Sequence, residues 1–384
     1  MRFAFTDEQE EIRRQVRRAI ADGGGVTAAR RAMEDGAGID RALWRRLGTE
    51  LGLAGLAIPD VHGGAGLGWI EIVAVIEALG ADLACVPFLS SACLATAAIL
   101  EAGTPEQHAA LLPAMARGAS TATLAWLEAS GDPSPDAIEA TAHADPDGGF
   151  VLRGTKRFVL DGHSADLLLV AVRAEGGAVA LHAVPAATPG VRRARLPTMD
   201  GTRAQAEIIL EDVRVPASSR LGGGGWHPIA RAIAKARVAL AAEQVGGAQA
   251  CLDFSVAYAK VRQQFGRPIG SFQAIQHTLA DMFVQVETAR SIAYHAAWEA
   301  EHAPDIEVTS AATAAYCADA FLACAADAIQ VHGGIGFTWE HDAQLYFKRA
   351  RAGRTLLGST TAHRDTVARS LGLGLARAHT DGTR

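Results

Sequence analysis

Ile12, Val16 and Ile20 recur every fourth residue, a spacing that stacks three apolar side chains on one face of a helix. Thr6-Asp7-Glu8-Gln9, just ahead of them, has the form of a capping box: the Thr6 hydroxyl accepts from the backbone at Gln9 and the Gln9 amide reaches back. Similar patterning predicts helices near 40–51, 69–80, 87–101 and 104–117, so the first third is helical. The last of these opens with Thr104 as cap, Pro105 at the first helical position and Gln107 at the third. Residues 58–66 are too rich in Gly and Pro for helix and form a loop. From about 120 to 220 the period changes to two. Phe150-Val151-Leu152, residues 157–160, 167–172, 179–184 and 206–210 then read as short strands between Gly, Pro and Asp turns. A hinge at Gly222–Gly225 leads into long helices near 227–264, 271–300, 307–331 and 341–356, a final helix after Gly358, and a polar tail. The pattern divides the chain into an N-terminal all-α domain (1–118), a middle β domain (119–222) and a C-terminal helical bundle domain (223–384), an α+β protein.

At 49% hydrophobic and 20% charged residues, the 384-residue chain can bury a large core. A formal charge of −6, with Arg13, Arg14, Arg17 and Arg18 interleaved with acids on a solvated helix face, gives no nucleic-acid footprint. The five cysteines are odd in number, scattered and without a CxxC pair; they indicate neither a disulfide framework nor a metal site, and fit a reducing cytoplasm. The longest apolar run, Phe88 to Leu100, is interrupted by Ser90, Ser91 and Thr96 and is too short for a bilayer, so no membrane partner is expected. GxGxxG, GxSxG, HExxH and P-loop motifs do not occur, which turns the reading away from Rossmann, hydrolase and nucleotide-transfer chemistry.

Two segments carry specific chemistry. Arg262-Gln263-Gln264-Phe265-Gly266-Arg267-Pro268-Ile269 is followed by Phe272-Gln273, and Gln330-Val331-His332-Gly333-Gly334-Ile335-Gly336 lies further on. Either alone also reads as an ordinary helix end. Together, in register with the whole C-terminal half, they resemble the flavin-binding signatures of the acyl-CoA dehydrogenase family. Met199–Arg203, 211–222 and Leu356-Leu357-Gly358-Ser359-Thr360-Thr361 continue the resemblance. It implies the family fold: an N-terminal helical domain, a middle β-barrel-like domain and a C-terminal four-helix bundle. It also implies FAD. Arg262 would meet the pyrophosphate, Phe265 would pack on the cofactor, and Gln273 would bind nearby. Gln330, Gly333 and Gly334 would approach the ADP half, where glycine permits close backbone contact, and Ser359, Thr360 and Thr361 would meet the flavin. In family oligomers these C-terminal segments serve largely the neighbouring subunit's flavin, while the ring is held by the chain's own β domain. The β-domain motifs depart from the pattern. Leu127-Glu128-Ala129-Ser130-Gly131-Asp132 stands for Thr-Glu-Pro-x-x-Gly-Ser-Asp, and Gly154–Gly162 for Gly-x-Lys-x-Trp-Ile-Thr-Asn-Gly. Leucine offers no hydroxyl to a flavin.

Desaturating a thioester between Cα and Cβ needs a carboxylate within reach of the α-proton. The family places it at one of two positions, occupied here by Leu357 and Ala236. Neither can take a proton. Glu243 is a weak candidate: it returns to the same helix face as Ala236, but about 10 Å further along the axis, and a helix-packing role beside a basic neighbour is the simpler reading. Arg237 matches a family arginine with a structural or substrate-orienting role. Asp342, Glu340 and His363 lie near these segments without an assigned role. The leading expectation is therefore a partner subunit that completes the FAD site of a heteromeric (heterotetrameric) acyl-CoA dehydrogenase, in which a homologous sister chain supplies the base. Its substrate would be an acyl-CoA thioester in lipid or steroid catabolism, with an electron-transfer protein as acceptor. The alternatives are a self-sufficient homotetramer or dimer with a relocated base, and a relative that uses reduced flavin and oxygen as a monooxygenase or has become a binding module.

Overall fold

The computed structural model describes residues 5–373; the expected polar tail lies outside the described residues. Helix α1 (Asp7–Gly23) starts as its capping box predicts, with Thr6 Oγ1 accepting from Gln9 N at 3.2 Å and Gln9 Oε1 from Thr6 N at 2.9 Å. Val16 and Ile20 are buried, and Ile12 packs at the edge of the core. Arg14, Arg17 and Arg18 are exposed as expected, but Arg13 turns inward to within 3.8 Å of the buried Glu77. Helix α2 (Gly25–Glu34) has no counterpart in the sequence reading, because its buried face is Ala28, Ala29 and Ala32, too small to stand out as apolar periodicity. Next come α3 (Arg41–Trp44), widening into a π-helical stretch over Arg45–Glu50, and α4 (Trp69–Ala81). The stretch Phe88–Ala95 is π-helical and runs into α5 (Thr96–Ala102); α6 (Pro105–Ala116) carries the Thr104–Gln107 capping box.

Seven strands form one mixed sheet: β1 (Ala122–Ala125), β2 (Thr141–Ala144), β3 (Phe150–Leu160), β4 (Leu167–Ala174), β5 (Val179–Pro185), β6 (Val191–Arg195) and β7 (Gln205–Val215). The strand order is β1-β4-β2-β3-β7-β6. Strand β5 takes the other edge of β4, so β1 and β2 share the remaining one. The two strands expected at 150–152 and 157–160 are a single strand, bent by irregularities between Leu152 and Gly154 and between Lys156 and Val159. Such bulges increase local twist and curl the sheet. Buried inside it, Lys156 Nζ donates to Glu128 Oε1 at 2.5 Å, which fixes the loop after β1 against β3. Strands β1, β2 and β6 were not expected: β1 is buried at every position and so lacks alternation, and β6 is mostly exposed arginine and alanine.

The bundle consists of α7 (His227–Val261), α8 (Gln273–His302), α9 (Glu307–His332), α10 (Ala343–Gly353) and α11 (Thr360–Ser370), with a two-stranded hairpin β8 (Gln263–Gln264) and β9 (Arg267–Pro268) between α7 and α8. The Gly222–Gly225 connection is pinned: Gly222 N donates to Gln107 Oε1 at 3.0 Å and Gly225 N to Val179 O at 2.7 Å. Among the described residues, the segment long and apolar enough to cross a membrane by composition is 307–337, not the Phe88 run, and 61% of its most apolar window is buried inside the protein. α7 joins the layers. It packs against α4, α5, α8, α9 and α10, and Ala236, Val238 and Ala239 are closed within the main core.

Candidate active site

The cofactor-signature residues gather at one end of the bundle. Arg262 caps the C-terminus of α7 in extended conformation, and the hairpin beyond it presents Phe265, 91% exposed with φ 54°. Arg267 lies over the Phe272 ring at 4.1 Å, and Gln273 is exposed at the start of α8. The end of α9 arrives beside them, since Tyr258 of α7 stacks on His332 at 4.3 Å between ring centroids. Gln330, Gly333 and Gly334 are exposed there, and among the described residues a Cβ built on either glycine would meet nothing within 4 Å. Open backbone with a nearby arginine fits an anionic diphosphate. His332, given no chemistry from sequence, is buried and hydrogen-bonded to Ala328 O at 2.7 Å.

The active-site-loop residues lie elsewhere. Arg237 and Tyr258 share one helix and stand about 30 Å apart at 1.5 Å per residue. Arg237 Nε donates to Leu357 O at 2.9 Å. Burial pulls the Arg237 guanidinium below its ordinary pKa, only partly offset by the charge of Glu307. Leu357 is 2% exposed and Ala236 0%. Gly358 (φ 117°) has the His363 ring directly beneath it, where a Cβ would come within 2.6 Å. Burial first, and the Arg237 charge second, push the His363 pKa down to about 4, so this imidazole is neutral. Ser359 caps α11 by accepting from Ala362 N at 3.1 Å, which leaves its O–H free to donate. Thr360 is buried, with its hydroxyl accepting from Arg354 at 3.2 Å, and Thr361 is exposed.

Glu243 as a relocated base is corrected by its surroundings. Arg203 Nη2 donates to both of its carboxylate oxygens, and Arg349 Nη1 donates to Oε1 at 2.7 Å. Burial alone would raise this carboxyl, but the two guanidiniums outweigh it and hold the pKa below the usual carboxylate range. A buried carboxylate clamped in that way is a poor proton acceptor. Asp342 is likewise engaged, by Arg30 at 2.7 Å, and Glu340 is exposed. The space lined by Leu240, Gln244, Gly353 and Leu356, one turn of α7 beyond Ala236, measures about 10 Å³; neither Ala236 nor Leu357 lines it. Sequence reasoning missed Arg203 and Arg349, whose partners lie 40 and 106 residues away along the chain.

Family comparison matches the acyl-CoA dehydrogenase N-terminal domain over residues 6–119, the middle domain over 124–213 and the C-terminal domain over 223–372. The chain belongs to the acyl-CoA dehydrogenase family. It is 36% identical over 355 residues to acyl-CoA dehydrogenase IpdE2 of Mycolicibacterium smegmatis, covering 92% of this chain and 96% of the relative. Among solved structures it is similar to the ChsE4-ChsE5 complex from Mycobacterium tuberculosis (TM-score 0.88, 30% identity, 98% of this chain and 100% of that one). It also matches a Tcur3481-Tcur3483 steroid acyl-CoA dehydrogenase variant (TM-score 0.85, 31% identity, 95% and 98%). As acyl-CoA dehydrogenases are FAD-dependent oxidoreductases acting on a CH–CH bond, FAD is the cofactor. Set against that chemistry, this acyl-CoA dehydrogenase presents open glycine backbone beside Arg262 and, about 30 Å away, the buried apolar residues Leu357 and Ala236.

Proposed function

We propose that this chain is the base-lacking subunit of a heteromeric acyl-CoA dehydrogenase, completing the FAD site of a homologous sister chain that supplies the glutamate and the ring pocket. One observation carries the reading: Leu357 and Ala236 are both apolar and out of solvent, and the neighbouring space between Leu240 and Leu356, about 10 Å³, is room for about one water. In the composite site Arg262, Gln273, Gln330 and the backbone at Gly333 and Gly334 hold the dinucleotide end, with Phe265 packed on it. Ser359, Thr360 and Thr361 flank this chain's own ring position, and Arg237 positions the loop through the Leu357 carbonyl. FAD, when bound, supplies the hydride acceptor, and the sister carboxylate takes the α-proton. The paired names of the ChsE4-ChsE5 and Tcur3481-Tcur3483 proteins support a two-chain assembly, and the latter's description as a steroid enzyme supports a steroid-derived acyl-CoA as substrate. An electron-transfer protein reoxidises the flavin in this reading.

Purifying the chain alone and with a co-expressed glutamate-bearing homologue tests it. The pair is expected to desaturate acyl-CoA and the lone chain to be inactive and poor in flavin. Full flavin occupancy with turnover in the lone chain refutes the proposal.

A further inference from the structure

The space beside Leu240 and Leu356 is small because charged side chains occupy its surroundings. Arg203 leaves the turn before β7 and reaches across to Glu243 on α7. Arg349 comes from α10 to the same carboxylate, places its Nε 2.9 Å from Asp200 Oδ2, and donates through Nη2 to Thr202 O at 2.9 Å. Cys85 Sγ, from the N-terminal helices, donates to that same Thr202 carbonyl at 3.1 Å. Sheet, bundle and N-terminal helices thus meet in one buried ionic cluster in which Asp200, Arg349 and Glu243 are 2%, 4% and 7% exposed.

Stability does not explain the cluster. Well-packed apolar residues in place of a buried ion network commonly serve a fold equally well. This network is also incompletely satisfied, since Arg203 Nε and Gln244 Oε1 have no hydrogen-bond partner among the described residues. Both residues line the residual space. An acyl chain entering between α7 and the 352–357 segment would have to displace or strand two guanidiniums and two carboxylates against apolar surface, which desolvation forbids. Exclusion by a charged obstacle is a recognised route to selectivity.

We propose that Arg203, Glu243 and Arg349 form an occluding latch that denies this chain's own acyl pocket to acyl-CoA, so that ion pairs between sheet and bundle decide which subunit takes the substrate. The latch rests on the partner-subunit reading and adds to it the means of exclusion. Its test is titration of S-hexyl-CoA, a thioether that cannot be enolised, into the full-length chain, with free CoA as control. The wild type is expected to bind the two equally. Arg203→Ala/Glu243→Ala removes the bidentate pair and leaves Arg349 on Asp200; it is expected to bind S-hexyl-CoA at least tenfold more tightly than the wild type. No gain in a double variant with the wild-type circular dichroism and melting curve overturns the latch. Should that variant not fold, co-crystals of the wild type with S-hexyl-CoA decide: a hexyl chain seated between α7 and 352–357 overturns the latch, and its exclusion from there upholds it. Turnover by the lone chain judges the partner-subunit reading separately and would take the latch with it, whereas a failure of the S-hexyl-CoA test removes the latch alone.

Discussion

Leu357 adopts φ 58°, a left-handed conformation that costs an L-residue about 1–2 kcal/mol. Its surroundings hold it there, with the side chain in the core and the carbonyl accepting from Arg237. Restoring a glutamate by Leu357→Glu therefore does not restore the enzyme. The carboxylate enters the core beside a closed space, and an unpaired buried charge costs on the order of 3 kcal/mol. Urea unfolding is expected to show a loss of about that size, and mixing the lone variant with octanoyl-CoA without oxygen is expected to leave any flavin unbleached. Bleaching would place a usable acyl pocket where none is argued. His363, under the neighbouring glycine, gives a pH signature. Its folded pKa of about 4 lies below the unfolded value near 6.5, so its contribution is present at neutral pH and is lost as pH falls through 6.5 towards 4, up to about 3 kcal/mol. His363→Gln is expected to flatten the melting temperature against pH over that window, relative to the wild type. Parallel profiles would show that this imidazole is not held neutral.

The hairpin after α7 and the turn after α9 form a separable element, because the side chains that project from them make few internal contacts. Phe265 at 91% exposure and an exposed Arg262 contribute little to the fold of the lone chain. Surface changes of this kind usually move stability by less than about 0.5 kcal/mol. Arg262→Ala is therefore expected to keep the lone chain's unfolding midpoint while the complex with the sister chain loses at least ten times more flavin on gel filtration. A variant that unfolds early instead would assign Arg262 to structure. The residues of this element stood out in the sequence as short runs of glycine and arginine, but the hairpin itself did not: the helix expected to 264 ends at Val261. The long helices of the bundle were legible through their period, and α6 through Thr104, Pro105 and Gln107. What escaped were elements whose signal is weak or distributed. Helix α2 buries only alanines, β1 is buried at every position, and β6 keeps its central Arg192, Arg193 and Ala194 exposed. The Arg203–Glu243–Arg349 cluster joins residues that only tertiary folding brings together, and no local pattern marks it.

At the scale of the whole molecule, the proposed two-chain assembly fixes a stoichiometry. The α9-end cluster and the Leu357 loop stand about 30 Å apart along α7, and in the proposed pair each composite site draws its cradle from one chain and its ring pocket from the other. The two resulting sites are not equal. One joins this chain's open cradle to the sister's β domain and base. The other depends on this chain's β domain, where Leu127 and the buried Leu160 stand in place of the family's hydroxyl-bearing threonines and Leu357 and Ala236 in place of the base. A heteromeric complex is therefore expected to hold one flavin per two chains, read as the ratio of flavin absorbance to protein after gel filtration. Arg262→Ala in this chain should lower that ratio towards zero, because it strikes the occupied site. The equivalent arginine substitution in the sister should leave it unchanged, because it strikes the site that holds no flavin. Two flavins per pair, or equal losses from the two substitutions, would mean that both sites are intact and that the asymmetry drawn from Leu127, Leu160 and Leu357 is wrong.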